Sequence, residues 1–253
     1  MAVQSLENLD LGEEEQQQKI TPCEPDQGEE LSTFVQFQND VTGEITTLDK
    51  KIPRLNLGQK SGALGESLGF GNIILNKEIV LAPFGKMITA TALKIRKRFQ
   101  ERRPYDPNST TQPAMFDTVK AAHTAGFATE WPQGKLTGHE KLALPVADIL
   151  WFIPASEDLD VNIVEQNFFY NYKDVRYAAA AFRTSVTGFN TTARTIFTFL
   201  DTPKAKEAGL RVGNWKLMAE KQQNAKNSWF NLKLVSNGFN SSEFIKYTKE
   251  VLP

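Results

Sequence analysis

One cysteine and two histidines in 253 residues leave little of the chemistry on which metal centres and stapled domains depend. Cys23 has no partner in the chain, which excludes an internal disulfide framework. With His123 and His139 it makes too small a ligand set for zinc, and either histidine reads as an ordinary surface residue before it reads as the base of a nucleophile. No uncharged run approaches the length of about 18 residues that spans a bilayer, and Met1–Gly12 lacks the basic-then-apolar order of a signal peptide. The expectation is a protein without membrane contact, cytoplasmic (in the host cytoplasm if viral).

Phosphate-cradling loops are missing too. Gly85-Lys86 is followed by Met87 and preceded at the first glycine position by Val80, so no G-x-x-x-x-G-K-[ST] is present. Gly69-Phe70-Gly71 continues as Asn-Ile-Ile and not toward a third glycine. Glu157, Asp158 and Asp160 have the oxygen chemistry for Mg²⁺ or Ca²⁺, but EDLD after Pro154 reads more simply as a solvated turn. A metal-dependent nuclease would need Asp148 to converge with Glu157 or Asp160. The reading is therefore of a protein that is not an enzyme and takes no cofactor or metal.

What is present is charge, and it is segregated. The chain has 29 Lys plus Arg and 30 Asp plus Glu, yet residues 1–30 hold nine acids against Lys19 alone, a net of −8. Residues 31–253 then carry 28 bases and 21 acids, a net of +7. The leader is rich in Gln and poor in aromatics, so it cannot bury enough apolar surface to offset the entropy of ordering and is expected to be a disordered acidic tail. It is either a solubilising arm or a tethered polyanion mimic that competes for the basic body.

Residues 31–253 read as one domain, mainly β with a few helices. Phe34–Phe37 and Glu44–Leu48 flank a five-residue turn and suggest a hairpin. Five glycines between Gly58 and Gly71 predict a mobile loop. Asn72–Leu75, Glu78–Ala82, Leu144–Ile153 (after Pro145), Val175–Thr184, Asn214–Glu220 and Ser228–Val235 read as strands. Met87–Arg103 fits both periods; the β-rich surroundings favour a strand with Thr89, Thr91, Leu93, Ile95 and Phe99 on one side and Lys94, Arg96 and Arg98 on the other. Residues 104–140, with four prolines and several glycines, form a long insertion with one short helix near Met115–Ala122. Phe189, Ala193, Ile196, Phe197 and Leu200 mark a one-faced helix, and Asn240-Ser241-Ser242-Glu243 resembles a capping box opening a last helix through Val251. The expected architecture is an OB-like barrel with long insertions, a β-sandwich being the other candidate.

The densest positive feature is Lys86 to Arg103, with seven bases and one acid, Glu101. On a strand, Lys94, Arg96 and Arg98 project from one side about 7 Å apart, near the phosphate spacing of an extended single strand, and Arg102, Arg103 and Tyr105 continue the track. The bland alternative is a solvated face that guards against edge pairing. In Ser228–Val235, Phe230, Leu232 and Leu234 alternate with Trp229, Asn231, Lys233 and Val235; an outward Trp beside Lys is a stacking platform for a base unless another segment covers it. Lys216, Lys221 and Lys226 lie close by in sequence. A cationic groove floored by flat rings is the recipe for binding single strands with little sequence preference, and no helix or ribbon aimed at duplex base edges stands out.

The order of elements resembles phage-type single-stranded DNA-binding proteins of the OB-fold kind. That order is a β-rich body, a basic strand and loop, Tyr177–Phe182 leading to the Thr187–Leu200 helix, and Asn227-Ser228-Trp229-Phe230 before the closing strand. The resemblance covers residues 31–253 loosely. It implies non-catalytic coating of single-stranded DNA in replication or recombination, with replication or recombination proteins as further partners. Members often carry an acidic C-terminal tail; here Lys246–Pro253 is not acidic and the acidic segment lies at the N-terminus. The expected binding residues are Lys94, Arg96, Arg98, Arg102, Arg103, Lys216 and Lys233 for phosphates and Trp229, Phe99 and Trp131 for bases. The competing reading is a structural or assembly protein of a virus or mobile element, forming a homo-oligomer.

Overall fold

The computed structural model describes residues 52–60, 63–103, 111–131, 141–225 and 227–252, all within the compact unit Ile45–Pro253. The expected acidic tail, the 34–48 hairpin, Tyr105, His139 and Lys226 lie outside the described residues.

Two antiparallel sheets carry the architecture. The smaller is a three-stranded meander, β1 (Leu55–Leu57), β2 (Ile73–Leu75) and β3 (Ile79–Ala82). The larger contains β4 (Met87–Glu101), β5 (Met115–Phe116), β6 (Ala143–Pro154), β7 (Tyr170–Tyr172), β8 (Val175–Arg183), β9 (Gly213–Gln223) and β10 (Ser228–Phe239). Its order is β10-β9-β4-β6-β8-β7, with β5 on the far end of β4. Helices α1 (Ala63–Leu68), α2 (Val119–Thr124), α3 (Val161–Asn167), α4 (Val186–Gly188), α5 (Arg194–Leu200), α6 (Pro203–Ala208) and α7 (Ser242–Val251) decorate it. The mainly β reading holds, and the described strands do not close into a barrel.

β4 is the spine. Its first third pairs with β9 (Thr89↔Lys216) and its remainder with β6 (Arg96↔Asp148). The register shifts between Ala92 and Lys94, a bulge that leaves Leu93 without a ladder partner. A bulge places two successive residues on one side of a strand. Ala90 and Ala92 therefore face the main core together with Ile95, while Leu93 packs on the other side with Phe152 and Phe244. The simple alternation expected for this strand is corrected accordingly: Thr89, Thr91 and Leu93 share the outer face with Lys94, Arg96 and Arg98.

The main core lies on the inner face, where Ile149 and Trp151 of β6, Trp215 and Leu217 of β9, and Leu232 and Leu234 of β10 meet Phe189, Ala193 and Ile196. The helix expected over 189–200 forms as a π-turn, Phe189–Ala193, running into α5. Pro145 is accommodated inside β6, where β6 pairs with β4 but not yet with β8, so no ladder bond is lost on that side.

Residues 53–59 bridge the two ends of the large sheet. The Ala181 N–H on β8 donates to Pro53 O at 2.9 Å. At the other end Gln59 Nε2 donates to Phe230 O at 2.8 Å, and the Phe230 N–H donates to Gln59 Oε1 at 2.9 Å. One side-chain amide thus does for the β10 edge what a neighbouring strand would do. The Thr191 and Thr192 hydroxyls cover the next exposed carbonyl, Leu232 O, at 3.3 and 2.5 Å.

The glycine-rich stretch is not the open loop its composition suggests, because it contains α1. A Cβ on Gly58 would stand 2.0 Å from Gly69 O, and one on Gly65 would stand 2.0 Å from Gln59 O. These glycines permit backbone to approach backbone; freedom of movement is not their use here. The insertion helix is displaced from its expected place, with Met115–Phe116 in β5 and the helix at Val119–Thr124, capped by the Thr118 hydroxyl. The last helix is capped by Ser241 and not Asn240. The Asn240 amide instead donates to Thr91 Oγ1, Arg211 O and Gly213 O.

Candidate nucleic-acid interface

Arg96, Asp148 and Arg183 stand side by side across β4, β6 and β8 because their backbones are ladder partners. Arg183 grips Asp148 with two bonds, Nε to Oδ1 at 2.5 Å and Nη2 to Oδ2 at 3.1 Å. Arg98 Nη1 reaches the same carboxylate at 3.5 Å. Asp117, on the segment between β5 and α2, lies over the row and takes Arg96 Nη2 at 2.7 Å and Arg98 Nε at 2.8 Å. Lys94 continues the row and has no ion pair among the described residues. Three arginines thus share two carboxylates on one sheet face, with Lys94 beside them.

The acids fix three guanidinium planes in place, and an unpaired excess of positive charge remains. Ion pairs this exposed contribute only about 0–1 kcal/mol each, so a phosphate can displace Asp117 at small cost while keeping the bidentate geometry that guanidinium favours. Asp117 and Arg183 were absent from the sequence reading. Arg183 closes a strand whose alternation was legible, so its parity with Asp148 was available; Asp117 arrives through the insertion, which no period reveals.

At the far end of β4 the chain supplies a ring. The Arg102 guanidinium lies 5.0 Å from the Trp131 ring centroid, and Trp131 is 53% exposed. Arg103 turns back to Glu101, Nη2 to Oε2 at 2.7 Å, and donates to Thr111 O at 3.3 Å. The bond from Arg103 holds the Glu101 carboxyl below the usual carboxylate range against the opposite push of burial, aided by the Ala114 N–H that donates to it at 2.9 Å. Arg103 therefore belongs to the clasp that ties the insertion to β4.

Two expected ring contacts have partners within the protein. Phe99 is buried on the opposite side of β4 with Ala122, Ala143, Phe116 and Phe127, so it is core and not a stacking surface. Trp229 is half-buried, and its indole N–H donates to Thr187 Oγ1 at 3.1 Å. It joins a polar network with Ser185 and Asn231 that holds α4 to β10. Its outward parity was legible; its cover, α4, was not.

Lys216 and Lys233 share the outer face with the arginine row by register, but on its opposite wing, across β9 and β10. Lys233 is paired with Glu220 at 2.5 Å, whereas Lys216 has no ion pair among the described residues. The structure thus brings Lys94, Arg96 and Arg98 together with Arg183, sets Arg102 and Trp131 at the end of the same strand, and separates Lys216, Lys233 and Trp229 from them.

Among the described residues no three His, Cys, Asp or Glu side chains gather in a way that could hold a metal ion. Asp148 is engaged by arginines, and Asp160 caps α3 by accepting from the Asn162 N–H at 2.8 Å. No helix of the described residues is long and apolar enough to cross a membrane. No family model, curated protein or solved structure matches the chain.

Proposed function

We propose that the protein binds single-stranded DNA with little sequence preference, in replication or recombination, through the outer face of β4, β6 and β8. The observation that carries this reading is the row Lys94, Arg96, Arg98 and Arg183, in excess over Asp117 and Asp148, with the Arg102–Trp131 pair at its end. Cations at strand spacing supply phosphate contacts, and a half-exposed indole supplies a base platform contributing about 1–3 kcal/mol. In this reading the antiparallel body is a partly open relative of the OB architecture, with the 53–59 bridge standing where a barrel would close. The acidic leader screens the cationic face when no nucleic acid occupies it.

The test is a titration of tryptophan fluorescence with poly(dT), duplex DNA and RNA at two salt concentrations. Tight, salt-sensitive binding of poly(dT) over duplex supports the proposal, and equal or absent responses refute it. Assembly into a viral or mobile-element particle is favoured by a different observation, two strongly exposed apolar side chains, Val161 and Phe169, each 66% exposed. It predicts a stable homo-oligomer in sedimentation and no fluorescence response to oligo(dT).

A further inference from the structure

A second feature of the outer face is a cleft of about 280 Å³ between the sheet and the start of α7. Thr89 and Thr91 of β4, Phe152 of β6 and Asn214 of β9 form its floor, while Tyr172, Tyr177, Phe239 and Phe244 wall it with rings. The rings are organised among themselves: Tyr177 stacks on Phe152 at 4.6 Å and 5°, and Tyr172 meets Phe244 edge-on at 5.1 Å.

Three polar side chains of the lining are committed. The Asn240 amide has three acceptors, one of them Thr91 Oγ1, and the Ser241 hydroxyl accepts from the Phe244 N–H at 3.2 Å. Asn214 Oδ1 and Tyr172 Oη are shut off from water and make no hydrogen bond of ordinary geometry among the described residues, with Lys173 lying beside Tyr172. Buried polar atoms left in this condition are uncommon and cost about 1–3 kcal/mol each. Both belong to residues of this one cleft. Lys216 is the ladder partner of Thr89, which puts a cation without an ion pair among the described residues on the same sheet face as the floor, just outside the lining.

We propose that this cleft holds a single nucleobase, for which the half-buried Asn214 and Tyr172 side chains turn so that a ring N–H or amino group donates to Asn214 Oδ1 and the base edge meets Tyr172 Oη, with the 5′-phosphate drawn to Lys216. The chemistry selects the class. Ring walls ask for a flat ligand, an unpaired amide oxygen asks for an N–H donor, and the cation just outside the lining asks for an anion one sugar away. A nucleotide offers all three, and a cleft of about 280 Å³ is large enough for one base. The biological ligand, a base of the bound strand, rests on the single-strand reading; the cleft itself is tested apart from it.

The experiment is an amide-resolved NMR titration of the full chain with dAMP, dCMP and dTMP, using deoxyribose 5-phosphate as the ringless control. The expected result is a saturable shift confined to β4 residues 89–91, Asn214, Tyr172 and the first turn of α7, at least about tenfold weaker for the control. Tyr172→Phe and Asn214→Leu, each checked for an unchanged melting temperature, should weaken the mononucleotide by about tenfold or more. Tyr172→Phe keeps the ring and serves if Asn214→Leu does not fold. Equal shifts with the ringless phosphate, shifts elsewhere on the molecule, or unchanged affinity in a folded variant overturn the proposal. Poly(dT) separates the two readings: mononucleotide shifts without poly(dT) binding leave the cleft and remove the strand, and the reverse leaves the arginine row and removes the cleft.

Discussion

Replacing Arg96 and Arg98 together by alanine removes two of the four cations on the β4–β6–β8 face without touching the core, since both side chains lie on the outer side of β4. Each phosphate neutralised on a single strand contributes about −0.7 to the slope of log affinity against log salt. If each arginine holds one phosphate, the double variant should have a slope shallower by about 1.4. Over a fourfold rise in salt, from about 50 mM to about 200 mM, the native protein should then lose about sevenfold more affinity than the variant. The exposed pairs with Asp117 contribute about 0–1 kcal/mol each, so the melting temperature should fall by only a few degrees. The assay is a fluorescence or anisotropy titration with poly(dT) at four salt concentrations, alongside a thermal melt. A variant that stays folded and keeps the native slope would show that the row carries no phosphate, and the proposed interface would be wrong.

Gln59→Ala should destabilise the domain by about 2 kcal/mol by deleting both bonds to Phe230, lowering the melting temperature by about 4–8 °C and exposing the β10 edge to aggregation, as read by calorimetry and light scattering. Phe99→Ala should cost about 3–5 kcal/mol of stability, whereas Trp131→Ala should leave the melt unchanged and weaken poly(dT) binding by about 1–3 kcal/mol, so the two aromatic substitutions separate core from platform. Because Glu101 has a depressed folded-state pKa, its contribution is present above the ordinary carboxylate value and is lost as pH falls through the lower, folded-state value; Glu101→Gln should flatten that part of an acid stability curve. Deleting residues 1–30 removes a net charge of −8 and should tighten poly(dT) binding, most at low salt; equal affinity at every salt concentration would retire the screening role.

Much of the large sheet was legible: β6, β8, β9 and β10 stand where short apolar runs and alternation put them, β4 is the strand its β-rich surroundings favour over the helix its sequence also fits, and α7 begins at the polar box 240–243. What escaped has identifiable causes. The bulge at Leu93 reverses the parity of half a strand, and nothing in MITATALKIRKR announces it. β7 was missed because its turn to β8 is Lys173-Asp174, both at positive φ (47° and 65°), where the usual hairpin signal would be Asn-Gly. The glycine content of 58–71 signals looseness, whereas Gly58 and Gly65 serve close contact of backbone with backbone. For the candidate site, Lys94, Arg96 and Arg98 were legible as a row because a strand's alternation is local. Asp117, Arg183 and the α4 cover on Trp229 were not, because each arrives from a part of the chain at least 19 residues away in sequence.

One consequence of β4 concerns length. It runs as one strand, through the bulge at Leu93, from Thr89 in the floor of the cleft to Arg98 at the end of the arginine row, and nine steps of about 3.3 Å span roughly 30 Å. A DNA strand laid along it with phosphates about 7 Å apart would cover the distance in four or five nucleotides. If the protein binds as proposed, β4 would act as a ruler: the footprint of one protein molecule would be set by the rise of its own backbone, and oligonucleotides shorter than about four residues would engage one end of it but not both.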